Sequence, residues 1–405
     1  MPAVGESRSL YVHVPFCLSR CSYCDFHSSV PNPQALEAAS EAWLAAIRVH
    51  LDTLGRRFGR TGYGTVYLGG GSPSCLPRGT LSRTLSLIGA EARAGGSDPV
   101  EFTMEANPED VDATLLDTLV QAGVDRLSIG VQSLEDDART IAGRRGDALS
   151  TMRNLERIAG SWGGRWSADL MYGLPGQSVE GLARDVENIA DFGLGHLSLY
   201  ELTLEEGTPL SKSAASGGVR IPGDDERGDQ YDAAREILAR TGFKRYEVSN
   251  WAIPGQECIH NDVYWNMGDW LAVGPSGVAN VAASCGSFLR LENTADDALY
   301  LDDPAASCSE SIVAGKDAAF ECLMTALRRT KGFDLAIFKQ RFGLEAATVF
   351  GRLEEGYPDL VCLEGDSWRA TDRGLDTLNG PLLSALSSAE RFYAESAPSK
   401  GGPPR

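Results

Sequence analysis

Short apolar runs alternate with amphipathic stretches along most of this chain. After the first run, hydrophobic residues recur every three or four positions from Leu36 to Leu54, which predicts a helix with one buried face. Seven runs have the length and composition of strands: LYVHVPF, TVYLGGG, EFTMEAN, RLSIGVQS, WSADLMYGLP, HLSLYELTLE and RYEVSNW. Strands separated by helices predict an α/β fold with a parallel sheet.

Glycine and polar residues collect where several of these strands end. The segment from Gly69 to Ser74 ends one strand, and Glu105, Gln132 and Asp169 lie at or just after the ends of others. In parallel α/β sheets, ligands bind at the edge formed by the carboxyl ends of the strands. We therefore expect a binding site there. Alternation alone does not distinguish an open sheet from a barrel.

From about residue 311 the pattern changes. Two short helical stretches, DAAFECLMTALRR and DLAIFKQRFG, precede LVCLEGDSWRATDRGLDTL, which predicts a hairpin followed by a helix. This order is typical of a small winged-helix domain. The last residues, SAPSKGGPPR, have the composition of a disordered tail.

Acidic residues outnumber basic ones by 56 to 37 in 405 residues, so the formal net charge is −19. No net field draws phosphates to such a chain, which argues against nucleic acid as a partner. The apolar runs are too short for a membrane-spanning helix, and the first residues do not resemble a secretory signal. We expect a cytoplasmic protein with at most a peripheral membrane contact.

Three of the nine cysteines, Cys17, Cys21 and Cys24, form a C-x3-C-x2-C cluster. They are structural residues, or they bind zinc together with His13 or His27, or they hold an iron–sulfur cluster. Three thiolates leave one iron of a [4Fe–4S] cluster open to a substrate or cofactor, and this interpretation fits the spacing best. We expect the six scattered cysteines to be buried apolar residues.

With Tyr23 before its last cysteine, the cluster resembles the motif of the radical S-adenosylmethionine (SAM) enzymes. The resemblance implies that the amino and carboxylate groups of SAM chelate the open iron, and that SAM is cleaved reductively. Other segments occur in the order typical of one branch, which contains the oxygen-independent coproporphyrinogen III oxidases and the HemW heme chaperones: YVHVPFC, YLGGGSPS, TMEANPE, SIGVQS, DLMYGLPGQ, LSLYELTLEEGTPL, YEVSNWA and HNDVYW.

This resemblance implies a partial (β/α)6 radical-SAM barrel and a small C-terminal helical, winged-helix-like domain. We expect the barrel at 1–250, an extension containing HNDVYW at 251–310, the C-terminal domain at 311–385 and a disordered tail at 386–405. The implied cofactors are a [4Fe–4S] cluster, SAM and heme.

The resemblance also implies particular cofactor contacts. Gly69, Gly70 and Gly71 would let the backbone approach the methionine of SAM, since no Cβ intervenes. The other aligned positions are Tyr11, Tyr23, Ser72, Glu105, Gln132, Arg144 and Asp169. Without the resemblance, Arg144 would be interpreted as a surface charge and Glu105 as an acid near a helix N-terminus.

The segment HNDVYW resembles the heme-binding motif of the HemW group. It implies that His260, on a loop, ligates heme iron while Tyr264 and Trp265 cover the porphyrin. For an isolated histidine, the commoner role is a hydrogen-bonded side chain packed in an aromatic cluster.

Two departures separate this chain from the oxidases. Phe26 stands where the oxidases have a fourth cysteine, and the cluster begins at Cys17, too early for their N-terminal extension. We therefore expect a heme chaperone that delivers heme to acceptor proteins, including membrane-bound respiratory enzymes. The alternative is an oxygen-independent coproporphyrinogen III oxidase.

Overall fold

The computed structural model describes residues 8–284 and 286–396. The strands in this part of the chain are β1 (Ser9–Val14), β2 (Thr65–Gly70), β3 (Glu101–Ala106), β4 (Arg126–Gln132), β5 (Arg165–Tyr172), β6 (His196–Glu201), β7 (Lys244–Arg245), β8 (Asn250–Ala252), β9 (Trp270–Val273), β10 (Val278–Ala282), β11 (Phe288–Asn293), β12 (Cys308–Val313), β13 (Phe333–Asp334), β14 (Val361–Glu364) and β15 (Ser367–Ala370). The helices are α1 (Pro33–Phe58), α2 (Arg78–Ala92), α3 (Ala113–Ala122), α4 (Asp136–Ala142), α5 (Ala148–Ser161), α6 (Val179–Ala190), α7 (Pro209–Ala215), α8 (Asp224–Arg240), α9 (Ile259–Trp265), α10 (Asp297–Asp302), α11 (Gly315–Leu327), α12 (Leu335–Phe342), α13 (Ala346–Phe350), α14 (Leu353–Gly356), α15 (Asp372–Asp376) and α16 (Asn379–Ser396).

Strands β1 to β6 lie side by side in chain order, and each neighbouring pair is parallel. A helix follows each strand, and most of these helices pack with the strands in one hydrophobic core, whereas α4 and α7 belong to a smaller apolar cluster. Beyond β6 the sheet continues with β8, which is antiparallel, so β6 does not close onto β1. This arrangement confirms the predicted α/β class and the partial (β/α)6 barrel.

Helix α1 shows how local sequence sets these elements. The side chain of Asn32 accepts a hydrogen bond from the Ala35 amide at 2.8 Å, and Pro33 occupies the first turn. On the buried face, Trp43 is fully enclosed and its indole nitrogen donates to the His13 carbonyl at 3.1 Å. The helix is therefore fastened to the end of β1 that leads into the cysteine cluster.

Residues 251–310 share the barrel sheet. Strand β9 pairs in parallel with β1, and β10, β11 and β12 extend the same sheet in antiparallel order. The Tyr300 hydroxyl bridges the two parts, because it bonds to Nδ1 of His50 at 2.8 Å and accepts from the Gly274 amide at 2.7 Å. The expected boundary at 250 falls within β8, and main-chain hydrogen bonds join the residues on both sides of it.

The C-terminal domain has a hydrophobic core of its own, which includes Phe338, Phe350 and Trp368. Helices of different lengths, α11 to α16, accompany a three-stranded sheet of order β13-β15-β14, which agrees with the winged-helix prediction.

The end of the chain differs from the expected tail. Helix α16 continues to Ser396, so residues 386–396 are helical rather than disordered, because Ala385 and Ala389 pack against the C-terminal core. Residues 397–405, the remainder of the expected tail, lie outside the described residues. Of the helices described, none combines the length and the apolar composition that crossing a bilayer requires.

Candidate functional site

The loop between β1 and α1 carries the three clustered cysteines. The Cys17 amide donates to the Ser29 carbonyl at 2.9 Å, and the Ser22 amide donates to the Ala142 carbonyl at 2.9 Å. The Ser22 hydroxyl also donates to the Ile141 carbonyl at 2.8 Å. The Ser22 bonds fasten the loop to α4, the Cys17 bond closes the loop on itself, and the three half-buried thiols form no disulfide.

The donor set of this loop fits an iron–sulfur cluster better than a single zinc ion. Among residues 8–284 and 286–396, no three His, Cys, Asp or Glu side chains converge around one metal position. In a [4Fe–4S] cluster each thiolate binds a different iron, so such convergence is not required. Both ring nitrogens of His13, one of the predicted zinc ligands, are engaged, by the Tyr11 hydroxyl at 3.1 Å and the His27 carbonyl at 2.9 Å. Burial raises the pKa of the Cys17 and Cys24 thiols, so metal binding has to displace their protons.

Arg144 reaches the cysteine loop from the segment after α4. Its Nη1 donates to Sγ of Cys21 at 3.4 Å, and its Nη2 donates to Oδ1 of Asn107 at 2.9 Å. The guanidinium also donates to the carbonyl of Gly130 in β4. Arg144 is therefore a half-buried cation between the loop and the ends of β3 and β4, where its charge lowers the pKa of the Cys17 thiol against the larger effect of burial.

The end of β2 brings bare backbone to this edge of the barrel. Gly70 has a φ of +109°, and a Cβ there would lie 2.7 Å from the His13 ring. A Cβ on Gly71 would lie 2.5 Å from the Phe16 carbonyl oxygen. The hydroxyl of Ser72 accepts a hydrogen bond from Nδ2 of Asn107 at 2.8 Å. Only glycine fits at positions 70 and 71, which is the condition for close approach of backbone to a ligand.

Glu105 lies beside this glycine turn. Its carboxylate accepts hydrogen bonds from the Tyr67 hydroxyl at 2.7 Å and from the Gly70 amide at 3.1 Å. Burial raises the pKa of Glu105 to about 7, while the two hydrogen bonds act in the opposite direction. The group therefore changes charge near neutral pH.

Strands β4 and β5 add Gln132 and Asp169 to the same edge. Gln132 has a φ of +71° and lies at a bulge in the pairing of β4 with β5. Such a conformation is uncommon outside glycine and occurs at bulges beside functional sites. The Asp169 carboxylate accepts a hydrogen bond from the Ser128 hydroxyl at 3.1 Å, and burial raises its pKa.

One cavity of about 470 Å³ brings most of the predicted cofactor residues together. Its wall includes Cys17, Cys21, Tyr23, Cys24, Gly70, Gly71, Ser72, Glu105, Gln132, Arg144 and Asp169. Gly69 is buried in β2 behind this wall, and Tyr11 lines a neighbouring cavity of about 630 Å³. The first cavity extends through the barrel, because Arg126 at the start of β4 and Cys258 and Asn261 beside or in α9 also line it.

The neighbouring cavity lies beside the cysteine loop, and Arg20, Phe26 and His27 contribute to its wall. Phe26, at the position of the extra cysteine in the oxidases, is 66% exposed. Nε2 of His27 is hydrogen-bonded to Oδ1 of Asp297 at 2.7 Å. The rim of the site therefore combines an apolar ring with an imidazole held by a carboxylate.

Comparisons with known proteins agree with this geometry. Residues 11–189 match the Radical SAM superfamily, and residues 313–376 match the HemN C-terminal domain. The heme chaperone HemW of Escherichia coli (strain K12) is 31% identical over 389 residues, which cover 96% of this chain and 98% of that protein. The chain belongs to the HemW family. Heme chaperone HemW of Mycobacterium tuberculosis (strain ATCC 25618 / H37Rv) is 36% identical over 275 residues, 68% of this chain and 70% of that protein.

Two other relatives extend the comparison. Radical S-adenosyl methionine domain-containing protein 1, mitochondrial, of Bos taurus is 31% identical over 416 residues, 98% of this chain and 92% of that protein. Coproporphyrinogen III oxidase (HemN) from Escherichia coli has the same fold, with a TM-score of 0.76 over 96% of this chain and 91% of that chain. At 20% identity, this second likeness concerns the fold alone.

Membership of the HemW family, within the radical SAM superfamily, implies a [4Fe–4S] cluster and SAM. The cavity fits both groups, since it offers three free thiols on one loop, glycine backbone that a Cβ would obstruct, and two carboxylates. When bound at this site, such a cluster would supply reducing power toward the sulfonium of SAM. The protein contributes an anchored loop, the cation Arg144 and an enclosed space.

His260 does not lie where the heme motif implied. It belongs to α9 rather than to a loop, and its side chain is completely buried. Its Nδ1 lies 2.7 Å from Oγ1 of Thr65, and its Nε2 lies 2.7 Å from the Tyr264 hydroxyl. Burial lowers the pKa of His260 to about 3, so the ring is neutral. This conformation leaves neither ring nitrogen open to a heme iron, and heme ligation by His260 stays a prediction.

Sequence interpretation missed several polar residues of the cavity wall. Thr103, Ser128 and Ser167 line it together with Tyr67 and Asn107. Side chains two positions apart in a strand share a face. Glu105 and Asp169 therefore share a face with the residues two positions before them, Thr103 and Ser167. In β4, Ser128 shares a face with Gln132 by the same alternation. The alternation of side chains along each strand was therefore the signal that could have identified Thr103, Ser128 and Ser167.

Proposed function

We propose that this protein is a heme chaperone that keeps a SAM-liganded [4Fe–4S] cluster and passes heme to acceptor proteins, membrane-bound respiratory enzymes among them. The observation that carries the proposal is the three-cysteine loop with an exposed Phe26 where the oxidases have a further thiol. This loop occurs in a chain that is 31% identical to heme chaperone HemW of Escherichia coli over nearly its whole length.

In this proposal the three cysteines bind three irons, and SAM takes the fourth. The backbone of Gly70 and Gly71 receives the methionine end of SAM, and Glu105 accepts from its amino group. Asp169 and Gln132 contact the remainder of the cofactor. The position of these groups around one cavity supports the assignment.

The heme is proposed to bind on the open side of the site. His50, His196 and His260 are buried, whereas His27 is half-buried and lines the cavity beside the cysteine loop. Asp297 holds Nε2 of His27, and within the described residues no hydrogen bond reaches its Nδ1. A carboxylate partner of this kind orients a metal-binding imidazole. His27 is therefore a second candidate for the iron ligand, beside the predicted His260.

A heme titration of anaerobically reconstituted protein tests the proposal. The wild type should bind one heme per chain, and the variants His27→Ala and His260→Ala should show which histidine the iron requires. His50→Ala is the matched control, since this buried histidine also bonds to a tyrosine but lines neither cavity. Failure of the wild type to bind heme would contradict the chaperone function.

A second assay separates the chaperone from the oxidase. Anaerobic incubation with coproporphyrinogen III, SAM and a reductant should leave the porphyrinogen unchanged. Formation of protoporphyrinogen IX would favour the oxidase, because that reaction is the oxidative decarboxylation of two propionate side chains.

A further inference from the structure

Helix α9, which carries HNDVYW, closes the barrel at the end opposite the cysteine loop. Glu101, the first residue of β3, accepts hydrogen bonds from the His260 amide at 2.9 Å and the Ile259 amide at 3.2 Å. Glu101 is completely buried and forms an ion pair with Arg165, the first residue of β5, at 3.2 Å. The helix is therefore anchored to the amino ends of two strands whose carboxyl ends surround the cofactor cavity.

The His260 ring is held from both sides in one tautomer. The Thr65 hydroxyl donates its proton to Oγ of Ser9 at 2.8 Å, so Thr65 accepts from Nδ1–H of His260 at 2.7 Å. Nε2 of His260 then accepts from the Tyr264 hydroxyl, also at 2.7 Å. Because Thr65 belongs to β2, these bonds fix the imidazole relative to the strand that ends in the glycine turn.

The same ring packs against Tyr67, two residues further along β2. The ring centroids of His260 and Tyr67 are 5.2 Å apart with an interplanar angle of 30°. The Tyr67 hydroxyl donates to Glu105 at 2.7 Å, and the second oxygen of Glu105 accepts from the Gly70 amide at 3.1 Å. Three successive contacts thus lead from His260 to the backbone of the glycine turn.

We infer that His260 is a positioning residue for the SAM site. It holds the plane of the Tyr67 ring and thereby the hydroxyl that keeps Glu105 on the Gly70 amide. The rest of the motif anchors the helix, since Asp262 pairs with Arg329 at 2.9 Å and Arg328 lies 4.8 Å from the centre of the Trp265 ring. The inference rests on the proposed contact between Glu105 and SAM, and does not depend on heme binding.

SAM affinity of the cluster-loaded protein, measured by equilibrium dialysis, tests this role. Loss of one hydrogen bond to a charged group corresponds to roughly tenfold in affinity, so His260→Ala and Tyr67→Phe should each weaken SAM binding by about that factor. The double variant should bind SAM about as tightly as whichever single variant binds it less tightly, because both changes interrupt the same chain of contacts. Equal iron content in all proteins shows that the comparison concerns SAM.

Control variants separate positioning from a general loss of packing. His50→Ala removes another buried histidine that bonds to a tyrosine, and it should leave SAM affinity within about twofold. Thr65→Val removes one hydrogen bond of His260 with little change of shape, and should weaken SAM binding about threefold. This variant tests the positioning role if His260→Ala does not fold.

The outcomes distinguish the positioning role of His260 from the proposed contact between Glu105 and SAM, on which that role rests. Unchanged affinity in Glu105→Gln would remove the proposed cofactor contact. Weak binding in Glu105→Gln together with normal binding in His260→Ala or Thr65→Val would overturn the positioning role alone. Additive effects of His260→Ala and Tyr67→Phe would also contradict it, as would an equal loss in His50→Ala.

Discussion

Glu105 should make the folded barrel less stable as the pH rises from 5 to 8. Its pKa is about 7 in the folded protein, against an ordinary value of 4.5, because the carboxyl group is buried. Between pH 4.5 and about pH 7, Glu105 keeps its proton in the folded protein, whereas the unfolded chain has released it. The stabilisation is therefore fully present below pH 4.5 and is lost as the pH rises through 7. At 1.36 kcal/mol for each pKa unit, the loss between pH 5 and pH 8 is about 2.5 kcal/mol.

The substitution Glu105→Gln isolates this effect. Glutamine carries no charge at either pH, and the cost of its lost hydrogen bond with the Gly70 amide is the same at both. The free energy of unfolding of the variant, relative to the wild type, should therefore rise by about 2.5 kcal/mol from pH 5 to pH 8. Asp169 faces the same cavity and raises the pKa of Glu105, so Glu105→Gln should produce a smaller rise when it is introduced into the Asp169→Asn variant and compared with that variant.

Hydrogen exchange of peptides from β2 and β3 is the appropriate assay, because the C-terminal domain has a separate core and global unfolding need not be two-state. Comparison of variant and wild type at the same pH cancels the intrinsic exchange rates. Glu37→Gln, on the exposed face of α1, is the control and should show no pH-dependent difference. The same relative stability of Glu105→Gln at pH 5 and pH 8 would refute the argument that burial raises this pKa.

Three further substitutions test other parts of the structure. Gly70→Ala should weaken SAM binding at least tenfold in equilibrium dialysis and lower stability by about 2 kcal/mol, since φ is +109° and the new Cβ would meet the His13 ring at 2.7 Å. Cys21→Ala should abolish the low-temperature EPR signal of the reconstituted cluster, whereas unchanged iron content would contradict its role as a ligand. Asp147→Ala removes the N-cap that accepts from the Ser150 amide at 2.7 Å, and hydrogen exchange of peptides from α5 should show a loss of about 1 kcal/mol without change in SAM affinity.

Local periodicity was sufficient to predict most strands and helices of the barrel, whereas the barrel itself followed from the family resemblance and the full sheet was not predicted. Six of the seven predicted runs coincide with β1 to β6, because each strand and its following helix are encoded within a short segment. The seventh, RYEVSNW, is divided between the antiparallel strands β7 and β8. The pairing of β9 with β1 joins Trp270 to Ser9, and no local pattern expresses a contact over that separation. Helix α16 was partly missed for another reason. Its buried positions include small residues such as Ala385 and Ala389, which give only a weak apolar stripe.

The same distinction applies to the site. Cysteine spacing and the glycines after β2 are local features, and the structure brings both to one cavity. The environment of His260 is tertiary, because Thr65 and Tyr67 come from a strand almost two hundred residues earlier. The HNDVYW motif can therefore identify a family, whereas the accessibility of its histidine depends on residues outside the motif.

The scattered cysteines differ in burial. Cys75, Cys258 and Cys322 are buried as expected, whereas Cys308 and Cys362 are half-buried and Cys285 lies outside the described residues.

The position of His260 predicts that heme ligation there and SAM binding affect each other. If heme iron takes Nε2 of His260, Tyr264 has to leave that nitrogen and α9 has to move. That movement also disturbs the ring that supports Tyr67, and through it Glu105. Heme would then weaken SAM binding, and SAM would weaken heme binding by the same factor, because coupling between two ligands is reciprocal. A ligand at His27 requires no change in α9, and equal SAM affinity with and without bound heme would contradict ligation by Nε2 of His260.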